Sequence, residues 1–316
     1  MLHLVAPHTA GDPQSCDKWL NCRLRDIQTR LAVAGHPISV PVIRRLLCAA
    51  DYRLRVNRKQ LAGSAHPDRD TQFGCIAAQR AAHLADDQPV LSVDTKKKEL
   101  IGDFKNAGRA WGLAPEAVNV HDFPTAAQGR AVPYGIYDVT RNVGWVGVGE
   151  SGDTPAFAVD CLDRWCASEL PRCYPHATRL LIEADGGGSN SARSRVWKAQ
   201  LQEQSADRYG LEVTVCHYPP GTSKWNLIEH RLFSEISKTW AGCPLRTWDS
   251  MLGYLCDTRT DTGLRVEAVR IRTHYPTGVK VSDAELAQLN IYKHDVCPIW
   301  NYTIRPRWVP PQTLAA

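Results

Sequence analysis

Two short apolar runs, each closed by an aspartate, constrain this chain more than any other feature. Pro89-Val90-Leu91-Ser92-Val93 leads into Asp94, and Arg179-Leu180-Leu181-Ile182-Glu183-Ala184 leads into Asp185. Runs of this length, rich in branched aliphatic residues, predict buried strands. Open α/β sheets bind ligands outside the carboxyl ends of their strands, so two such strands side by side present two carboxylates at one edge of a sheet. A third acid, Glu229, falls in the helix predicted over residues 225–240. Ile228, Leu232, Phe233 and Ile236 recur there at helical spacing and form the face that packs on the sheet, and Glu229 shares that inward side. An inward carboxylate with no counter-charge is costly, so its position calls for a cation.

The intervening segments complete a pattern. Residues 99–104 predict a strand paired to the first one across the basic turn Lys96-Lys97-Lys98. Residues 132–139 and 143–149 predict a meander, 154–170 a helix, 192–208 a helix and 212–218 a strand. Over residues 90–245 the order is β-β-β-α-β-α-β-α. That is the succession of an α/β, RNase H-like mixed sheet flanked by helices, although order alone does not single it out. Residues 66–89 read as a polar, alanine-rich connector with a helix near 73–84. Residues 246–316 read as a C-terminal extension with no assigned chemistry.

Charge distinguishes the front of the chain. Residues 1–80 hold 12 Lys and Arg against 6 Asp and Glu, whereas the rest holds 26 against 27. Residues 21–34 predict one helix, Gly35-His36-Pro37 a break, and Ser39 the cap of a second helix through Ile43 and Leu47 that leads towards Arg58 and Lys59. Residues 1–65 thus form a small helical, helix-turn-helix-like segment, with Arg44, Arg45, Arg58 and Lys59 as candidate DNA contacts. A helical hairpin with no DNA role fits the same pattern.

Several classes are disfavoured. The 11 cysteines form no CxxC pair and have no histidines at zinc-finger spacing, which points to reduced thiols. No apolar run reaches the length of a membrane span and no secretory signal opens the sequence, so a soluble, cytoplasmic protein is expected, nucleoid-associated if the basic front section binds DNA. The Gly186-Gly187-Gly188 run lacks the Lys-Ser/Thr of a P-loop and is better suited to close approach of substrate or metal.

Three converging carboxylates repel one another unless divalent metal neutralises them. Mg²⁺, or Mn²⁺ in its place, suits an all-oxygen donor set. Two ions roughly 3.5–4 Å apart would serve an in-line displacement at phosphorus. Each acid alone has a simpler reading as turn former or helix cap. Glu99 and Glu183 are rival acids, and Glu183 shares a strand face with Asp185, which makes it a candidate support for that residue. His217 and Asn226 flank the Glu229 helix as candidate supports for the catalytic acids that could also touch phosphate. Lys224 there, and Lys96, Lys97 and Lys98 beside Asp94, are candidate DNA contacts.

Four passages carry a resemblance: residues 92–99 (SVDTKKKE), 132–138 (VPYGIYD), 182–190 (IEADGGGSN) and 217–234 (HYPPGTSKWNLIEHRLFS). With them the sequence, from about residue 30 to 300, resembles DDE transposases of the ISAzo13 insertion-sequence family, related to the IS630/mariner group. The resemblance implies that Asp94, Asp185 and Glu229 are the catalytic, metal-holding triad, with 43 residues between the last two. It also implies two Mg²⁺ ions, double-stranded DNA partners (element terminal repeats and target) and a homodimer or higher synaptic assembly. Two alternatives use the same residues: a structure-selective RNase H-like nuclease, which cleaves without joining, and a non-catalytic DNA-binding remnant. Family members carry a longer amino-terminal region with further DNA-binding helices, so a truncated copy is one expectation, in which an intact triad would not guarantee transposition.

Overall fold

The computed structural model describes residues 9–11, 18–20, 22–52, 66–112 and 114–307. The chain divides into two compact units, residues 1–62 and 63–316.

In the first unit, β1 (Thr9–Gly11) pairs antiparallel with β2 (Lys18–Leu20). Two ten-residue helices follow, α1 (Leu24–Val33) and α2 (Val40–Ala49). Between them the chain reverses at Gly35, whose φ of +82° is open to glycine and strained for other residues. The N–H of the next residue, His36, donates back to the Leu31 carbonyl at 2.8 Å and closes the end of α1. Ile27 and Leu31 pack on Ile43 and Leu47, and these four form a small core of their own. Arg44 and Arg45 lie on the exposed side of α2. Arg58 and Lys59 lie outside the described residues.

The second unit is built on a nine-stranded mixed sheet. Its centre is β3 (Val90–Thr95), flanked on one side by β5 (Gly129–Asp138) and β6 (Val143–Gly149), and on the other by β7 (Arg179–Ala184) and β8 (Glu212–His217). β5 runs antiparallel to β3 and to β6, whereas β7 and β8 run parallel to β3. A three-stranded meander extended by two parallel strands beyond the first is the RNase H-like arrangement. Leu91, Val93, Leu180, Ile182, Val213 and Val215 point to one face, where α4 (Pro155–Cys173) and α5 (Arg195–Leu201) supply Phe157, Leu162, Trp165 and Trp197. On the opposite face, Tyr137, Val146 and Val148 meet Ile228, Leu232, Phe233 and Ile236, from a π-type turn (Glu229–Phe233) that continues as α6 (Ser234–Thr239) and from the residue before it.

The element layout departs from the sequence expectations in three places. The strand predicted over 99–104 is only β4 (Glu99–Ile101), and it pairs with β5 rather than β3. The stretch read as a connector holds a 17-residue helix, α3 (Arg69–Ala85), whose Ile76 is buried with Val90, Leu181 and Tyr218. It is part of the sheet's cover. The C-terminal stretch also belongs to the fold: α7 (Trp248–Cys256) leads to β9 (Arg265–Ile271) at the β6 edge, while β10 (Ile291–Lys293) and β11 (Asn301–Ile304) extend the sheet past β8. The short α8 (Asp283–Ala287) lies between them in sequence. No helix among the described residues is long and apolar enough to cross a membrane, and the described cysteines are all free.

Candidate active site

β3 and β7 are in register with Val93 opposite Ala184. Asp94 and Asp185 are the next residues along these two neighbouring parallel strands. Alternation across the sheet places Ser92 with Asp94, and Glu183 with Asp185, on the face that α3 and the Glu229 helix cover.

A buried clip brings in the third acid. Ser92 Oγ donates to Asn226 Oδ1 at 2.5 Å and accepts from the Ile228 N–H at 3.1 Å, while Asn226 Nδ2 donates to the Val93 carbonyl at 3.3 Å. Glu229 is the next residue after Ile228, so the clip ties the start of its helix to the strand that carries Asp94. Gly135, opposite Asp94 in β5, lets that helix lie against the sheet. A Cβ at this position would stand 2.5 Å from Phe233 Cε1 and 2.9 Å from Ile228 Cδ1.

The acids strain one another electrostatically. Burial, and then the charge of Asp185, push the Asp94 carboxyl up to about 8, against the pull of the Thr95 N–H that donates to it at 2.7 Å. Burial also raises Asp185, with the Gly187 N–H at 3.4 Å opposing. Glu229 and Asp153 add their charges to both aspartates. Asp153, in the loop before α4, was not foreseen from the sequence. Thr95 Oγ1 donates to it at 3.0 Å and Lys98 Nζ stands 3.9 Å away. Its only sequence signal is a turn aspartate after Gly152, which carries no strand pattern.

These donors fit a hard divalent cation, since all are carboxylate oxygens and their mutual repulsion is what such an ion relieves. They are not gathered into a ligand cluster: among the described residues no group of three His, Cys, Asp or Glu side chains is placed to hold an ion. Coulomb repulsion reaches further than coordination bonds, so the acids sense one another at separations that ligation would have to close. The exposed Gly186–Gly188 loop beside Asp185 leaves the approach open.

The surrounding residues sort by burial. Glu183 is fully buried and held by Arg80, with Nε to Oε1 at 2.7 Å and Nη2 to Oε2 at 2.6 Å, and by the Tyr218 hydroxyl at 2.9 Å. It is an ion-paired anchor, which removes it as a rival ligand. Arg80 was missed because the partner lies 103 residues away. His217 and Asn226 are fully buried, so direct contact with phosphate gives way to support from beneath. His217 Nδ1 donates to the Asp185 carbonyl at 3.0 Å, and its Nε2 accepts from the Tyr302 hydroxyl at 3.2 Å. Burial drives its pKa down to about 4 and keeps the ring neutral. Lys96 also differs from expectation. It is buried, with Nζ 3.7 Å from Glu99 and 4.9 Å from the Trp240 ring centroid, and is withdrawn from DNA. Glu99 is engaged by this contact. Lys97, Lys98 and Lys224 are exposed.

With this geometry in place, the sequence profile of the Rhodopirellula transposase DDE domain matches residues 1–306. The chain belongs to this transposase family. The profile carries the ISAzo13 designation, in agreement with the resemblance drawn from the four motifs. No characterised protein matches the chain in sequence. Among solved structures it is similar to the mariner Mos1 paired-end complex with Mg at 12% identity and TM-score 0.46, covering 78% of this chain and 74% of that one. The Mos1 strand transfer complex matches at 11% identity and TM-score 0.43, covering 78% and 72%. Both likenesses are distant.

Proposed function

We propose that this DDE transposase cleaves and joins DNA strands in a divalent-metal-dependent reaction at Asp94, Asp185 and Glu229. The observation that carries the reading is the juxtaposition of Asp94 and Asp185 on adjacent parallel strands, with the Ser92–Asn226–Ile228 clip holding the Glu229 helix over them. When bound, two Mg²⁺ or Mn²⁺ ions would activate the attacking water or 3′-hydroxyl and stabilise the leaving oxygen. The chain's own contribution is to position the ligands. Ser92 and Asn226 set the helix against β3, His217 holds the Asp185 backbone, and the Arg80–Glu183 pair keeps a competing carboxylate occupied. Exposed Lys97, Lys98 and Lys224 meet phosphates, and Arg44 and Arg45 in the first unit supply contacts to the terminal repeats. Two copies would hold the two ends of an element.

The test is strand cleavage and joining on duplex DNA bearing the ends of the protein's own locus, with Mg²⁺ and with EDTA. Metal-dependent joining is the expected result. Cleavage without joining would replace the transposase reading with the nuclease one, and binding with neither would leave a non-catalytic DNA-binding protein.

A further inference from the structure

One surface feature is absorbed neither by the triad nor by the clip. A cleft of about 270 Å³ opens at the β4 side of the sheet, with Lys97, Lys98, Lys105 and Arg130 on its walls. All four cations are exposed. They come from separate places in the chain: the turn between β3 and β4, the loop after β4, and the start of β5, where Arg130 is opposite Leu100. The cleft's acids offset only part of this charge, because Glu99 faces the buried Lys96 at 3.7 Å and Asp122 is a single exposed carboxylate. Lys98 reaches towards Asp153 at 3.9 Å, and no ion pair engages Lys97, Lys105 or Arg130 among the described residues. Leu100, Phe104 and Leu245 add apolar lining, the last two of them buried.

From this arrangement we infer that the cleft is a docking groove for the sugar–phosphate backbone of DNA next to the reacting phosphate. The inference rests on reading the chain as a DNA-acting enzyme and adds Lys105 and Arg130 to its contacts. Exposed cations suit phosphates, and the apolar lining between them suits deoxyribose. Its place follows from connectivity: Lys97 and Lys98 are three and four residues past Asp94, and Lys98 pairs with Asp153, whose charge acts on Asp94. A backbone lying in the groove reaches, at its Lys97–Lys98 end, the turn that follows the Asp94 strand.

The test measures binding of the full chain to a fluorescent duplex in EDTA, so that no chemistry intervenes, as a function of salt. Each phosphate contact contributes about 0.9 to the slope of log K against log salt on duplex DNA. The double variant Lys105→Ala with Arg130→Ala should lower the slope by about 1 to 2. The charge-keeping pair Lys105→Arg with Arg130→Lys should retain it. An unchanged slope in the alanine variant overturns the inference, as does an equal loss in the charge-keeping pair, which would mark a packing effect. Neither result bears on the triad: Mg²⁺-dependent joining by the wild type tests that separately, so a failed groove and a failed transposase reading are distinguishable.

Discussion

Replacing Asp94 by Asn separates the electrostatics of the site from its folding. In the folded chain, burial and Asp185 hold this carboxyl at about 8, against an ordinary value of 3.8. Between these limits the folded state keeps a proton that the unfolded chain has lost, so stability without metal falls as pH rises through the window and levels off above it. A rise of about four units at roughly 1.4 kcal/mol each sets an upper bound of about 6 kcal/mol. Water reaches the half-buried carboxyl and reduces this, leaving on the order of 2–4 kcal/mol between about pH 5 and pH 8. Asn carries no such charge. Urea unfolding followed by tryptophan fluorescence in EDTA should show the wild type losing stability across that range relative to Asp94→Asn. Saturating Mg²⁺ should then stabilise the wild type at the alkaline end and leave the variant nearly unmoved, because a ligand stabilises only the state that binds it. Parallel pH profiles for the two proteins would refute the reasoning.

Three further outcomes follow from the packing and the charges. Arg80→Leu leaves Glu183 buried without its cation and should destabilise the fold by about 3–5 kcal/mol in the same urea assay. Gly135→Ala should cut strand cleavage at least tenfold while circular dichroism shows a folded protein, because the added methyl displaces Phe233 and Ile228 and with them the Glu229 helix. Arg44→Ala with Arg45→Ala should weaken binding to the element ends and lower the salt slope by about 1 to 2; an unchanged slope would remove the first unit from the DNA interface.

Much of the site could be read from local pattern. β3 and β7 announce themselves through contiguous apolar residues and the Glu229 helix through periodic ones, and its face of Ile228, Leu232, Phe233 and Ile236 is buried as the spacing predicts. What was hidden depends on distant partners. α3 looks polar because its inward side chains include Gln72 and Arg80, which are satisfied by Asn301, the His217 carbonyl and Glu183 far along the chain. Lys96 belongs to a run that normally forms a solvated turn, and its burial is offset by Glu99, by the Trp240 ring and by the charge of Glu229, all far from it in sequence or across the turn. Ser92 reads as one polar interruption of a strand, and its role appears only when Asn226 arrives from 134 residues away. β4 has three residues, too few for periodicity to choose its partner. β10 and β11, with three and four residues, are likewise too short for periodicity to reveal, although β9 does alternate.

The central claim, that Asp185 acts as a metal ligand in strand cleavage, is tested most directly by exchanging its oxygen donor for sulfur. Asp185→Cys should be inactive with Mg²⁺, which favours hard oxygen ligands, and should regain cleavage when Mn²⁺ is supplied, because the softer ion accepts thiolate more readily. Wild-type rates for this variant with Mg²⁺ would contradict the account.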